Sequence, residues 1–388
     1  MHGIALATSI TLALAVTTPT QAAETSPVVK TARAGPVDNS TQNSDEFIWT
    51  LFTQFTTPAD PGNARPVVFE TWASDADTFS KTPAWPAPDA GRRFQSSPLR
   101  AATTPHGGPV DIPCSPPGNA AVGGFPTSGT PTPCIAEEVR RNRPQFDYIV
   151  GNSLNTQTGL AAAHAKGMDV QMPTEAISVK GDWVPVQTLL QWIPSIGSID
   201  KLRSLYYTDV SDGVEYAVVS LHVSSRQNPN WVWGSFEHRL TPGRCDDLGC
   251  FDSFGASVPE VMPNRSAINT DYGPCDKTEA LQTLMQQAGL STVWQNYCLK
   301  STQVDYLAPD GTPTALGNAV IERIVGNGTV VASSCIACHA YASFGANGQP
   351  SKAATAMLPY NPTGAPIPAV LEGSLQFDFM WGVLLAPE

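Results

Sequence analysis

The sequence predicts an α+β fold, with a β-rich N-terminal domain carrying long Pro/Gly loops and a small, mainly helical C-terminal segment. Three observations lead there. Runs rich in β-branched and aromatic residues lie between 177 and 238, 35 prolines and 31 glycines punctuate the chain, and the string Cys335-Ile336-Ala337-Cys338-His339 sits in a helical context near the end. With 388 residues, 41% of them apolar, the chain can build one large or two ordinary domains.

Taken in order, residues 1–23 come first. Ile4 to Val16 is an uncharged apolar run, polar residues follow from Thr17 to Gln21, and Ala22-Ala23 ends the segment. This is the pattern of a secretory signal peptide cleaved near Ala22/Ala23, with only His2 and the amino terminus as positive charge ahead of it. The run falls short of the roughly 20 apolar residues that span a bilayer, so the mature chain is expected to have no transmembrane span. A periplasmic or secreted bacterial location follows from the same reading.

Residues 24–44 read as a polar, flexible linker, and 45–305 as the β-rich α+β domain, entered at Phe47-Ile48-Trp49. Between 57 and 133, Pro, Gly and Thr imply surface loops. Ile177–Lys180 and Leu202–Tyr207 read as short extended segments. The strongest local signal is a hairpin. Tyr216–Val223 and Trp231–His238 are its arms, and Gln227-Asn228-Pro229-Asn230 its turn. Glu279–Ala288 and Thr292–Leu299 read as helices. Residues 306–388 form the C-terminal segment, in which Ser333 and Ser334 are candidate N-caps of a helix continuing through Ala340, Tyr341 and Phe344 to Gly345.

The net charge is −12, with no basic run to follow a phosphate backbone, which argues against nucleic acid as a partner. No phosphate-cradling glycine loop, G-x-S-x-G elbow or H-E-x-x-H helix occurs, so nucleotide-dependent and familiar hydrolase chemistry loses ground. Six cysteines lie outside the C-x-x-C-H string. In an exported protein they suggest disulfides, and loop-closure entropy favours sequential pairs: Cys114–Cys134, Cys245–Cys250 and Cys275–Cys298. Their expected role is to staple loops.

C-x-x-C-H is the signature of covalent haem attachment. Positions i, i+3 and i+4 share one face of a helix, so the thiols of Cys335 and Cys338 can bond the vinyl groups of one haem c while His339 points at the iron. Half of a zinc site or a dithiol redox pair are the competing readings. A structural zinc site wants a second ligand pair, and no second C-x-x-C exists.

Several strings resemble a group of uncharacterised exported mono-haem cytochrome c-like proteins: Glu138–Ile149, Ala176–Trp183, Trp231–His238, and Leu316-Gly317-Asn318 ahead of Ser333-Ser334-Cys335. The resemblance implies a large β-rich domain fused to a C-terminal haem segment. An ordinary small cytochrome c carries its motif near its start, whereas here only 49 residues follow His339.

The sixth iron ligand decides between electron transfer and chemistry, because an iron closed on both sides excludes substrate. Met357, in Ala356-Met357-Leu358-Pro359, is the candidate distal ligand, and an ordinary apolar contact is its alternative. Met380 lies among Phe377, Phe379, Trp381, Val383 and Leu384 and reads as core. His222 and His238 are on the hairpin, where a satisfied structural histidine is the commoner outcome. As catalytic candidates, Lys180, Glu237 and His238 stand beside Trp183, Trp231 and Trp233, although neighbours Glu237 and His238 should face opposite sides of a sheet.

These readings converge on a periplasmic c-type cytochrome that transfers one electron at a time with a redox partner protein or a small-molecule donor or acceptor. A haem-dependent oxidase or peroxidase with an open iron, or a non-catalytic haem sensor, are the alternatives.

Overall fold

The computed structural model describes residues 41–87, 100–101, 110–111, 121–122, 125–126, 136–211, 213–264, 266, 269–320, 333–352 and 364–388. Cys114, Cys134, Met357 and the proposed signal peptide lie outside them.

The hairpin predicted from sequence is the centre of the fold. Its arms, β5 (Val214–Ser225) and β6 (Val232–His238), belong to a seven-stranded sheet that also contains β1 (Ala73–Ser74), β2 (Ala136–Arg141), β3 (Ile177–Pro185), β4 (Thr208–Ser211) and β7 (Tyr297–Gln303). Strand order is β1-β2-β3-β5-β6-β7, with β4 paired to the first residues of β5. Every pairing in this sheet is antiparallel.

One face of the sheet is packed by α1 (Thr41–Thr56), and the single-turn α2 (Asp75–Thr78) follows β1. Ile48, Trp49, Phe52 and Phe55 recur at helical spacing and are buried with Phe236, Val179 and Leu221 of the strands. Burial of those four contributes roughly 6–12 kcal/mol before entropy is charged. Phe52 and Trp49 meet the Phe236 ring at centroid distances of 4.4 and 4.8 Å. The approach is close enough to need glycine at 234, where a Cβ would stand 2.5 Å from Ile48 Cγ2.

A second cluster joins α3 (Arg143–Gly151) and α4 (Gln157–Ala165) to the C-terminal segment: Ile149, Leu160 and Met172 pack with Ile336, Phe344, Phe377, Met380 and Val383. Residues from both sides of position 305 therefore share one core. A third cluster packs α5 (Val186–Trp192) and α6 (Ile199–Leu205) on the β5 end of the sheet.

The α+β class holds, and several local expectations are corrected. Residues 202–205, predicted extended, lie in α6, because Ser198 caps that helix by accepting from Lys201 N and Asp200 charges its first turn favourably. Thr292–Leu299, predicted helical, gives a single 3-10 turn (Trp294–Asn296) and then β7, where pairing with β6 overrides local propensity. Among the described residues the C-terminal segment is not mainly helical: it has α8 (Cys335–His339), two further short turns of helix, and a two-residue strand pair, Ser343–Phe344 with Leu375–Gln376. The motif helix ends at His339 because Ser343–Phe344 pairs as strand. The polar stretch before Phe47, expected flexible up to residue 44, enters α1 at Thr41, and α7 is found at Glu279–Gln287 as expected.

Disulfides Cys245–Cys250 and Cys275–Cys298 form as the sequential pairing predicts.

Candidate functional site

The C-x-x-C-H string occupies the whole of α8. Ser334 caps it, its Oγ accepting from Ala337 N at 3.2 Å. Gln303, the last residue of β7, anchors the helix to the sheet: its Nε2 donates to Ser334 Oγ (2.8 Å) and Thr314 Oγ1 (2.7 Å), and its Oε1 accepts from Ile336 N (3.0 Å). Ile336 is fully buried, while Cys335, Cys338 and His339 are half-buried. The apolar residue of the string thus turns inward, which leaves both thiols and the imidazole on the partly open side of one short helix. Cys335 Sγ lies 3.6 Å from the Leu316 carbonyl oxygen.

His339 is held by the C-terminal turn. Its Nδ1 is 2.6 Å from the Phe379 carbonyl oxygen. A carbonyl only accepts, so Nδ1 is the donor, and in the neutral tautomer that this sets, the lone pair is on Nε2. The ring also meets Trp233 at 4.5 Å and Trp381 at 6.0 Å between centroids.

The turn that delivers this carbonyl is strained. Asp378 and Phe379 both have positive φ, 43° and 65°, as does Trp231 at 60°. Non-glycine residues in such conformations cost of order 1–3 kcal/mol each and persist only when their surroundings hold them. Asp378 does the holding. Its buried carboxylate accepts from Met172 N (2.6 Å), Arg226 Nε (3.0 Å) and Trp231 Nε1 (3.2 Å). Burial raises the Asp378 pKa, and the Met172, Arg226 and Trp231 contacts oppose that shift.

Beside α8, the sheet face opposite α1 is polar. Lys180 pairs with His222 and His222 with Ser235 across β3, β5 and β6, and in the next row Asp182 pairs with Ser220 and Ser220 with Glu237. Asp182 is fully buried, bonded by Ser220 Oγ and 3.5 Å from His222 Nε2. Glu237 Oε1 accepts from Ala319 N (2.7 Å) and Lys300 Nζ (3.3 Å). Lys180 Nζ is 3.6 Å from Glu137 Oε1. Trp233, which touches His339, lies two residues before Ser235 on this face.

The candidate residues therefore divide. Lys180 and Glu237 share the sheet face next to α8, with the His222–Ser235 row between Glu237 and Trp233. His238 belongs to the other face and is not brought to the motif. It stacks on Tyr206 at 3.5 Å, its Nε2 donates to the Leu205 carbonyl (3.1 Å), and its Nδ1 accepts from Leu240 N (3.2 Å). Burial drives its pKa well below the ordinary histidine value, so it is a neutral structural group. Trp183 packs on that side too, in the α1 core. Met380 is core, as its neighbours suggest, with Sδ accepting from Gln145 Nε2 at 3.0 Å.

Sequence reasoning missed Gln303, Asp378 and the Phe379 carbonyl. Gln303 is 31 positions from Ser334 and acts through a β-ladder that no local pattern announces. Asp378 carried one readable hint, a lone acid in the apolar stretch Phe377–Leu385.

The donor set of α8, two thiols and an imidazole with its Nε2 lone pair on one five-residue helix, fits covalent haem attachment. No protein-family model, curated protein or solved structure matches the chain.

Proposed function

We propose that this chain is an exported c-type cytochrome that carries one haem and moves one electron at a time. A haem c supplies a reversible one-electron couple when bound. Cys335 and Cys338 would hold it through thioethers and His339 Nε2 would ligate its iron. The observation that carries this reading is the hydrogen bond from His339 Nδ1 to Phe379 O, which fixes the tautomer and orientation that a ligating imidazole needs. Gln303 and Ser334 set the helix, and Asp378 sets the turn. Trp233 and Trp381 pack against the His339 ring from two directions and restrict its plane.

A second reading, oxidation of a small molecule, draws on the polar sheet face. Lys180, His222, Asp182 and Glu237 are titratable groups on the side of the sheet that carries α8, where an ordinary carrier needs only apolar cover. An optical spectrum of the haem-loaded protein, oxidised and reduced, with and without carbon monoxide, separates the two. A low-spin spectrum unmoved by carbon monoxide supports electron transfer. A high-spin spectrum that shifts with carbon monoxide refutes the carrier and leaves an oxidase, peroxidase or sensor.

A further inference from the structure

Away from α8, one of the two disulfides among the described residues has a partly buried amine beside it. Lys277 Nζ lies 2.7 Å from Cys275 Sγ and donates to the backbone carbonyls of Cys275 and Tyr297, both at 3.0 Å. The amine stays close to Cys275 because these two carbonyls anchor it, and it also stands over the Trp49 ring, with Nζ 5.7 Å from the ring centroid. Burial lowers its pKa to about 8, and Asp252 opposes the shift. The Cys275–Cys298 bridge lines a cavity of about 240 Å³ with Arg244, Asp252 and Tyr272. Cys245–Cys250 lines the same cavity, but among the described residues no lysine or arginine nitrogen bonds its sulfurs. Cys250 Sγ faces the Arg244 carbonyl oxygen, at 3.6 Å.

We propose that Cys275–Cys298 is a reversibly reducible disulfide, in which the Lys277 ammonium stabilises the Cys275 thiolate of the reduced state. A disulfide is more readily reduced when its dithiol form is stabilised, and a cation in contact with a thiolate does that. The reductant is a thiol. Its thiolate attacks one sulfur, forms a mixed disulfide and expels the other cysteine as thiolate. A second equivalent attacks the mixed disulfide, leaves as the oxidised thiol dimer and releases the remaining cysteine. Two electrons pass to the protein, Cys298 takes up a proton, and Cys275 remains as thiolate against Lys277. The bridge is then a redox site and not only a loop staple, whereas Cys245–Cys250 is a staple alone.

The full chain is equilibrated in glutathione buffers of increasing reducing poise, quenched in acid, alkylated and mapped by mass spectrometry. Cys275 and Cys298 become labelled at a less reducing poise than Cys245 and Cys250. In Lys277→Met that transition moves to more reducing conditions, by about tenfold or more in the equilibrium constant, and Lys277→Arg restores it. Coincident opening of the two bridges, or coincident transitions for wild type and Lys277→Met, overturns the assignment. Should Lys277→Met fail to fold, the pH dependence of alkylation in the reduced wild type decides. A reaction midpoint for Cys275 below the ordinary thiol range and below that of Cys298 supports the assignment, and ordinary midpoints for both contradict it.

Discussion

The imidazole of His339 and the backbone of Phe379 are joined by a 2.6 Å hydrogen bond from Nδ1 to the carbonyl oxygen, across 40 positions of sequence. The acceptor sits in a left-handed residue whose predecessor, Asp378, is fastened to Met172 and to both Arg226 and Trp231 of the hairpin turn. The orientation of the motif histidine is therefore set by the C-terminal turn as much as by its own helix.

Asp378→Ala should be among the most damaging single changes outside the two main cores. It leaves Arg226 buried beside an absent carboxylate and removes the acceptor for Met172 N, so about 3–5 kcal/mol is expected to be lost. Asp378→Asn, which keeps an acceptor, should lose less. Urea unfolding of the three proteins checks the order, and equal midpoints for wild type and Asp378→Ala would show that the turn is held by something else.

Gln303→Ala strips the acceptor from Ile336 N and a donor from Ser334 Oγ, both near the fully buried Ile336. Loss of about 1–3 kcal/mol is expected. Hydrogen exchange localises the effect: protection should fall at the amides of Ile336 and Ala337 before it falls in the α1 core.

Gly234→Ala places a methyl group against Ile48 Cγ2, in a core that has no slack there. Overpacking of this kind costs about 1–3 kcal/mol. Removing the clashing atom in Gly234→Ala/Ile48→Ala should make the double variant less damaged than the sum of the two single changes, and simple additivity in a double-mutant cycle would argue against direct contact.

Asp252 gives a pH signature. Burial raises its pKa to about 6, against the hydrogen bonds from Gly255 N and Trp49 Nε1. The folded-state pKa lies above the unfolded one, so the contribution of this group to stability is whole below about pH 4. It is lost as pH rises through about 6, by up to about 3 kcal/mol. The difference in unfolding free energy between wild type and Asp252→Asn, followed from pH 3.5 to pH 7.5, should swing in favour of the variant across that window. A difference that stays flat would mean that the carboxylate titrates in the folded protein as it does in the unfolded chain.

How much of this was legible in the sequence depends on the range of the forces involved. The β5–β6 hairpin was readable because its signal is local: two runs of β-branched and aromatic residues around Asn228-Pro229. The cysteines of the two described bridges were readable because sequence proximity lowers closure cost. The Cys335–His339 string was readable because its chemistry depends on spacing alone. The opposite case is Tyr297–Gln303, where a helical pattern yields to pairing with β6. The supports of the site fall in the same class. Gln303, Asp378 and the Phe379 carbonyl act on α8 from far along the chain, and nothing in their immediate neighbours specifies that role.

The central claim is covalent haem at α8. Its most direct measurement is the intact mass, under denaturing conditions, of the exported protein produced in a host that carries out c-type haem attachment. The mass of the mature polypeptide plus one haem is expected, with the addition absent from a Cys335→Ser/Cys338→Ser variant that is still exported and folded. A polypeptide mass without haem, or haem retained by the double variant, would contradict the account.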